Sequence, residues 1–310
     1  MAAKTFKSLD EQIEILKSKG LTILDYDKTK EILLRENYFS INGYRSPFYQ
    51  TGCKKFIEGT TFDEMYALFT FDRYFRNIIF KNILIVENNY KSIFSYVMSR
   101  KYGYKEKDYL NVNNFDRSRE KQRQINDLIR KLKRQIRING SQHEATSHYI
   151  NNYGYIPMWV GIKVLSFGII SEFYSILKRE DREEIASYYG NIHTEALEDY
   201  LVVASNYRNI CAHEDILYNH RIQKELPATK YHELLDIPKM DGEYIYGIHD
   251  IFGLIIILKH LLTKSDFKMM INEINYEIEW LSQKLKSIKI DKILYRMGFP
   301  QNYNDIVYME

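Results

Sequence analysis

The chain has 310 residues, of which 45% are hydrophobic and 27% charged, and a formal net charge of +3 at pH 7. These values are ordinary for a globular protein, so they exclude wholesale disorder and permit an anionic partner without requiring one. Cys53 and Cys211 have no Cys-x-x-Cys partner, which argues against a disulfide framework and fits a reducing, cytoplasmic location. The N-terminus lacks an apolar leader segment and the most apolar run, 251–262, is too short to span a bilayer, so no membrane association is expected.

Apolar residues recur with a helical period between the few prolines, which predicts a mainly helical protein. Short helices are predicted over 8–19 and 27–36, followed by a loop around Pro47. Thr61 and Glu64 have the spacing of a capping box, in which each side chain accepts a hydrogen bond from the backbone amide of the other. They are predicted to open the clearest helix of the chain.

The helix that opens at Thr61 carries one apolar stripe, formed by Phe69, Phe80, Ile83, Tyr90, Phe94 and Val97. Arg76 and Glu87 fall on the same stripe, where an unpaired charge is costly. One interpretation is a salt bridge from each residue to another helix. The other is a supporting role for both residues in a functional site, and the sequence leaves the two open.

A basic segment, 117–137, is predicted to form an amphipathic helix with apolar residues on one side and cations on the other. Clustered guanidinium groups can neutralise a nucleic-acid backbone, and an ordinary solvated helix face explains the same pattern. The candidate RNA-contacting residues are Arg123, Arg130, Lys131, Arg134 and Arg137.

Further helices are predicted in the second half of the chain. Proline is favoured at a helix start, so one helix is expected to begin after Pro157 and to bury positions from Val160 to Leu177. Thr194 is a candidate cap for a later helix that runs towards His213. The remaining helices are predicted over 179–189, 246–262 and 266–288.

The most informative stretch is Arg208-Asn209-Ile210-Cys211-Ala212-His213. Arg208 continues an apolar helical stripe, so its guanidinium requires a carboxylate, a phosphate or a second subunit. Asn209 and His213 are four residues apart and share a helix face. Arg208 and His213 are five apart, roughly 140° around an ideal helix, so they converge only if the arginine curls or the helix end deviates.

Phosphodiester cleavage without metal needs residues of these types. A histidine can move the proton of an RNA 2′-hydroxyl or of the leaving oxygen, an arginine can neutralise charge on the phosphoryl oxygens, and an asparagine can orient either. A lone histidine at a helix end can equally be structural. Neither a metal-binding carboxylate cluster nor a glycine-rich phosphate-binding motif is recognisable, so no metal and no cofactor are expected.

The hexapeptide resembles the R-N-x-x-x-H form of the Rx4-6H motif of the HEPN superfamily. Its surroundings resemble Abi proteins of the AbiD/AbiF type, which are bacterial abortive-infection factors. Besides the hexapeptide, the similar blocks are the opening 12–21, the tyrosine-rich 37–44, the FDxxLR-like helix in 59–76 and the PxW…SFG block in 157–168. Where many relatives carry glutamate, four residues after the tryptophan, this chain has Lys163.

The resemblance implies an all-α fold, a HEPN-like helical bundle. In this interpretation 51–262 is the helical core, 1–50 an N-terminal helical extension and 263–310 a C-terminal helix and tail. Two copies of the motif would face each other across a homodimer and form one composite ribonuclease site.

The resemblance also implies a metal-independent endoribonuclease that acts as a toxin or in phage defence, in association with a small structured noncoding RNA. Arg208, Asn209 and His213 would be catalytic, Glu87 would pair with Arg208, and Arg76 would support the site. Two alternatives stay open. The chain could hold a cognate RNA without cleaving it, or it could be a regulator that binds protein alone.

Overall fold

The computed structural model describes residues 5–140, 142–190 and 192–309. Its elements confirm the all-α fold class, because the described residues form fifteen α-helices, short 3-10 turns and a single two-stranded sheet. In chain order the helices are α1 (Leu9–Ser18), α2 (Tyr26–Glu36), α3 (Tyr38–Asn42), α4 (Phe62–Tyr102), α5 (Glu106–Tyr109), α6 (Gln122–Gly140), α7 (Glu144–Tyr153), α8 (Met158–Gly161), α9 (Phe167–Ser175), α10 (Arg179–Ser187), α11 (Thr194–Ala212), α12 (Lys230–Leu234), α13 (Ile251–Leu261), α14 (Lys264–Lys284) and α15 (Ile290–Met297). The strands are β1 (Lys239–Met240) and β2 (Glu243–Tyr244), paired antiparallel.

Local capping explains where the first helices begin. Ser8 and Glu11 form a capping box at the start of α1. The predicted capping box at the start of α4 is confirmed, since the Glu64 amide donates to Thr61 Oγ1 at 3.2 Å and the Thr61 amide donates to Glu64 Oε2 at 3.1 Å. Both boxes satisfy amides that would otherwise lack a partner in the first turn.

By its internal contacts the chain divides into two compact units. The first unit consists of Met1–Ile79, His213–Gly253 and Asp266–Glu310, and the second of Phe80–Ala212 and Leu254–Ser265. Helix α4 contributes to both, changing unit between Ile79 and Phe80. This division joins segments that are distant in sequence, whereas the expected segments 1–50, 51–262 and 263–310 are contiguous. Those segment boundaries stay a prediction.

The first unit has an aromatic core around Tyr44. Its ring meets Phe69 edge-on at 5.4 Å between centroids and stacks on Tyr218 at 5.8 Å. All three rings are buried. Because Tyr44 follows α3, Phe69 lies on α4 and Tyr218 follows α11, this cluster holds together segments that are far apart in the chain.

The second unit is built around the later part of α4. Phe94 of this helix contacts Phe173 of α9 at 4.9 Å between centroids, and Tyr90 meets Tyr174 at 6.3 Å. Helix α9 also packs on α11. The predicted amphipathic pattern of the basic helix is confirmed in α6, whose buried residues include Ile125, Leu128, Leu132 and Ile136.

Three features differ from the prediction. The helix expected after Pro157 is interrupted between α8 and α9, because Leu165 is extended and Ser166 Oγ caps a new helix by accepting from the Ile169 amide. A hairpin was missed, although Asp241 and Gly242 have the positive φ angles that a tight turn between β1 and β2 requires. Two later helices are shorter than predicted, since α13 begins at Ile251 and α14 ends at Lys284.

No helix within the described ranges is both long and apolar enough to cross a membrane.

Candidate functional site

Helix α11 ends at Ala212, so His213 lies just outside the helix. The shared face of His213 and Asn209 and the angle between His213 and Arg208 stay predictions. Just after His213 the chain turns through Glu214, which has a φ of 57°. His213 and Asn209 are both exposed, and no hydrogen bond to either side chain is found among the described residues.

Arg208 lies near the end of α11 with its side chain 33% exposed, next to the buried carboxylate of Glu87. The distance from Arg208 Nε to Glu87 Oε2 is 3.8 Å, which makes an ion pair but is too long for a hydrogen bond. The guanidinium carbon also lies 5.8 Å from the centroid of the Phe80 ring. Glu87 and Phe80 thus orient the guanidinium from one side without locking it.

The other oxygen of Glu87 has a closer partner. Lys91 Nζ donates to Glu87 Oε1 at 2.6 Å, one turn along α4. The same ammonium donates to the Leu165 carbonyl oxygen at 2.9 Å. Glu87 therefore has two cationic partners, Lys91 at hydrogen-bond distance and Arg208 farther away.

Arg76 pairs with Asp72 on its own helix, α4. One of the two interpretations of Arg76, a salt bridge to another helix, is therefore wrong. Arg76 Nη1 donates to Asp72 Oδ2 at 2.6 Å, and the two side chains are 4% and 0% exposed. The hydroxyl of Tyr44 donates to the same carboxylate oxygen at 2.6 Å. Burial raises the pKa of Asp72, and this effect is opposed by Arg76, Tyr44 and two backbone amides.

The two amides that donate to Asp72 belong to the segment after His213. The Leu217 amide donates to Asp72 Oδ2 at 3.0 Å and the Tyr218 amide donates to Oδ1 at 2.7 Å. Arg76 Nη1 adds a bond to the Asp215 carbonyl oxygen at 3.3 Å. The pair therefore holds the backbone just beyond an exposed histidine, a contact of Asp72 that the sequence did not predict. The spacing of four between Asp72 and Arg76 was the available signal for the pair.

A cavity of about 830 Å³ opens beside His213 in the first unit. Arg45, Lys54 and Arg73 line it together with the exposed ring of Phe39. Arg73 is held by a two-pronged bond to Glu36, with N–O distances of 3.0 and 2.6 Å. The cavity therefore combines cations, the acidic residues Glu36, Glu214 and Asp215, and aromatic surface next to the histidine.

All five candidate RNA-contacting residues of α6 are exposed. Arg130 pairs with Asp127, and Lys131 Nζ lies 2.9 Å from Glu172 Oε2. For the other three, Arg123, Arg134 and Arg137, no carboxylate partner is found in the part of the chain that the structure describes. These guanidinium groups are accessible to an external anion.

Histidine and acidic residues do not gather into a metal-binding group of three or more among the described residues. His213 and His220 both follow the end of α11. Burial lowers the pKa of His220, and Asp215 opposes this shift.

Comparisons with known proteins identify the family. A family model described as Abi-like protein matches residues 31–219, which include α4, α6, α11 and His213. No curated protein and no solved structure shows a significant match to the chain. Because the matched region is more than half of the sequence, the chain belongs to the Abi-like protein family, and this membership points to abortive infection, a form of antiviral defence.

Proposed function

We propose that this Abi-like protein is a metal-independent endoribonuclease, a HEPN protein similar to the AbiD/AbiF type that uses Arg208, Asn209 and His213. The observation that supports this most is the exposed ring of His213 just before a segment whose Leu217 and Tyr218 amides are held by buried Asp72. A catalytic base needs both properties, because its nitrogen must reach the substrate and its position must be reproducible.

In the proposed reaction His213 removes the proton from an RNA 2′-hydroxyl. The oxygen then attacks the adjacent phosphorus, the bond to the 5′-oxygen breaks, and the protonated His213 gives its proton to this leaving oxygen. The products are a 2′,3′-cyclic phosphate and a 5′-hydroxyl. An imidazole suits both steps because its unperturbed pKa lies near neutral pH.

Arg208 is proposed to bind the scissile phosphate. Its guanidinium is one-third exposed and is oriented by Glu87 at 3.8 Å without a locking hydrogen bond. An arginine fork can contact two phosphoryl oxygens at once, which a lysine ammonium cannot do with the same geometry. Asn209, exposed on the following position of α11, would orient the phosphate or the attacking hydroxyl.

The active form is proposed to be a homodimer in which the two motifs face each other. Sedimentation of the purified protein, with and without RNA, measures this state directly. A dimer is the expected result, and a strict monomer in both conditions would contradict the composite site.

RNA is proposed to be held by α6 and by the cavity beside His213. Arg123, Arg134 and Arg137 of α6, which have no carboxylate partner among the described residues, supply attraction to the RNA backbone that does not depend on sequence. The same exposed arginines support a second candidate function, in which the protein holds a cognate small noncoding RNA and does not cleave it. A measurement of RNA cleavage by the purified protein distinguishes these two candidate functions.

The experiment is RNA degradation by purified protein in EDTA. Wild type should cleave RNA, and His213→Ala should lower the rate by about 10²–10⁴-fold, the usual contribution of one acid–base group. Arg208→Ala should lose activity, and Arg208→Lys should recover only part of it. His193→Ala is the matched control, because this exposed histidine precedes the other end of α11. Equal cleavage by wild type and His213→Ala would contradict the proposal.

A further inference from the structure

The second unit carries a connected row of aromatic rings, which we name the aromatic face: Tyr104, Tyr149, Tyr153, Tyr155 and Trp159. Neighbouring ring centroids lie 5.4 Å apart for Tyr149 and Tyr153, 6.3 Å for Tyr153 and Tyr155, and 5.6 Å for Tyr155 and Tyr104. Trp159 follows at 5.7 Å from Tyr104. The rings belong to α7, α8 and the loops beside them, so they form one surface rather than one helix stripe.

Much of this row is open to solvent. Tyr153 is 58%, Trp159 46% and Tyr104 40% exposed. Aromatic side chains are normally buried in a folded core, and a contiguous exposed group of them marks a binding surface. The rings of the aromatic face therefore have free area on which a planar ligand can stack.

Cations lie against the rings. Lys105 Nζ is 4.8 Å from the centroid of Tyr155 and 5.9 Å from that of Tyr104. Arg100 lies over Tyr96 and also pairs with Glu184. A positive group next to stacking rings matches a ligand that has both flat bases and phosphates.

A cavity of about 450 Å³ adjoins Trp159 and Tyr104. Its walls include Ser92, Ser95 and Ser99 of α4. Ser99 Oγ is shielded from solvent and has no hydrogen-bond partner among the described residues. Ser95 Oγ donates to the Ser92 carbonyl oxygen at 3.0 Å, while Ser92 is exposed. Hydroxyls beside an aromatic wall suit the edge of a nucleobase better than an apolar peptide, because a base has hydrogen-bonding groups as well as a π-face.

We propose that the aromatic face and its serine-lined cavity bind single-stranded RNA, with bases stacked on the exposed rings and the backbone near Lys105. The choice of RNA as ligand rests on the proposed function. The aromatic face includes neither His213 nor any of the α6 arginines. It binds unpaired nucleotides by stacking, whereas α6 attracts the backbone by charge alone.

The chain has two tryptophans, which allows a direct test. In a Trp280→Phe protein, Trp159 is the only tryptophan, and a stacked base should quench its fluorescence. The probe is a single-stranded 2′-O-methyl oligouridylate, which lacks the hydroxyl needed for the proposed cleavage. In Trp159→Phe, where only Trp280 of α14 remains, the same probe should leave the emission unchanged.

Affinity gives the second readout. Tyr104→Ala should weaken binding of the probe by about 5- to 150-fold, the effect of removing one stacking ring. Tyr276→Ala is the control, because this tyrosine is 68% exposed on α14 and outside the aromatic face. Equal effects of the two substitutions, or binding without any change in Trp159 emission, would overturn the inference.

The outcomes also separate this inference from the proposed function. If the probe quenches Trp159 while no RNA is cleaved in EDTA, the aromatic face stands and the ribonuclease proposal fails. If His213-dependent cleavage occurs and Trp159 does not respond, the ribonuclease stands and the aromatic face fails. Loss of self-association in Tyr104→Ala with unchanged affinity for the probe would assign the rings to a protein contact and overturn the inference.

Discussion

Asp72→Asn tests whether the buried Asp72–Arg76 pair holds the segment that follows His213. The substitution keeps one oxygen acceptor but removes the negative charge that Arg76 requires. The Asp72 carboxylate accepts hydrogen bonds from Arg76, Tyr44 and the amides of Leu217 and Tyr218. The side-chain nitrogen of an asparagine carries hydrogens and would face at least one of these donor groups, so a favourable contact becomes a repulsive one.

The magnitude follows from burial. The side chains of Arg76 and Asp72 are 4% and 0% exposed, so loss of the carboxylate leaves a guanidinium with no water to compensate it. Removing one partner of a buried ion pair typically costs about 3–5 kcal/mol. We therefore expect Asp72→Asn to lower the free energy of unfolding by about 3–5 kcal/mol.

Urea denaturation followed by tryptophan emission measures this change. In a Trp159→Phe background the signal comes from Trp280, which belongs to the same unit as Asp72. A lower midpoint with an unchanged slope reports lost stability rather than a changed unfolded state. The slope must therefore be compared between the variants.

Glu31→Gln in α2 is the matched control. Glu31 and Arg35 form the same type of pair, four residues apart on a helix, but their side chains are 58% and 75% exposed. An exposed pair contributes little, so the control should change stability by less than about 0.5 kcal/mol. If Asp72→Asn has as small an effect as Glu31→Gln, Asp72 does not anchor the segment after His213 and the reasoning is refuted.

Three further predictions concern charge, pH and backbone. Reversing the charges of Arg134 and Arg137 should weaken RNA binding and make its dependence on salt less steep, by about one unit of log–log slope per lost phosphate contact, and an unchanged slope would remove α6 from the RNA interface. Burial raises the pKa of Asp250 from 3.8 to about 6, so the folded protein binds a proton at this carboxyl more tightly than the unfolded chain does. The contribution of Asp250 to the free energy of unfolding is therefore largest below pH 3.8 and is lost as the pH rises through about 6. Asp250→Asn should flatten that dependence in urea titrations, and an unchanged pH profile would contradict it. Gly298→Ala should be destabilising by more than about 1 kcal/mol, since φ is +80° and the new Cβ would lie 2.1 Å from Asp250 Cγ. Gly59→Ala, with φ of +78° and open space, should cost less in the same thermal melt, and equal losses would refute the contact argument.

Much of the fold was predictable because its determinants are local. The capping box at Thr61 and the apolar side of α6 depend on residues within a few positions of each other, and both are confirmed. The interruption before Ser166 was not predicted, because the apolar periodicity continues across Leu165 and Ser166 although the helical conformation of the backbone does not.

The candidate site was predictable in part. Arg208 and Glu87 were expected to pair, and the structure places their charged groups 3.8 Å apart. The role of Asp72 was not predictable, because its amide partners lie at Leu217 and Tyr218, about half the chain away. Helix α11 ends at Ala212, and helical spacing alone does not mark this end.

The central claim is that Arg208 of one chain and His213 of another act on the same phosphate, and a mixed dimer tests it most directly. Arg208→Ala and His213→Ala chains with different tags are co-expressed, the mixed species is purified through both tags, and RNA cleavage is measured in EDTA. We predict cleavage at least about tenfold faster than for either variant alone, because the mixed dimer keeps one arginine and one histidine in a shared site. A purified mixed dimer no more active than the two parent variants would contradict a site shared between chains.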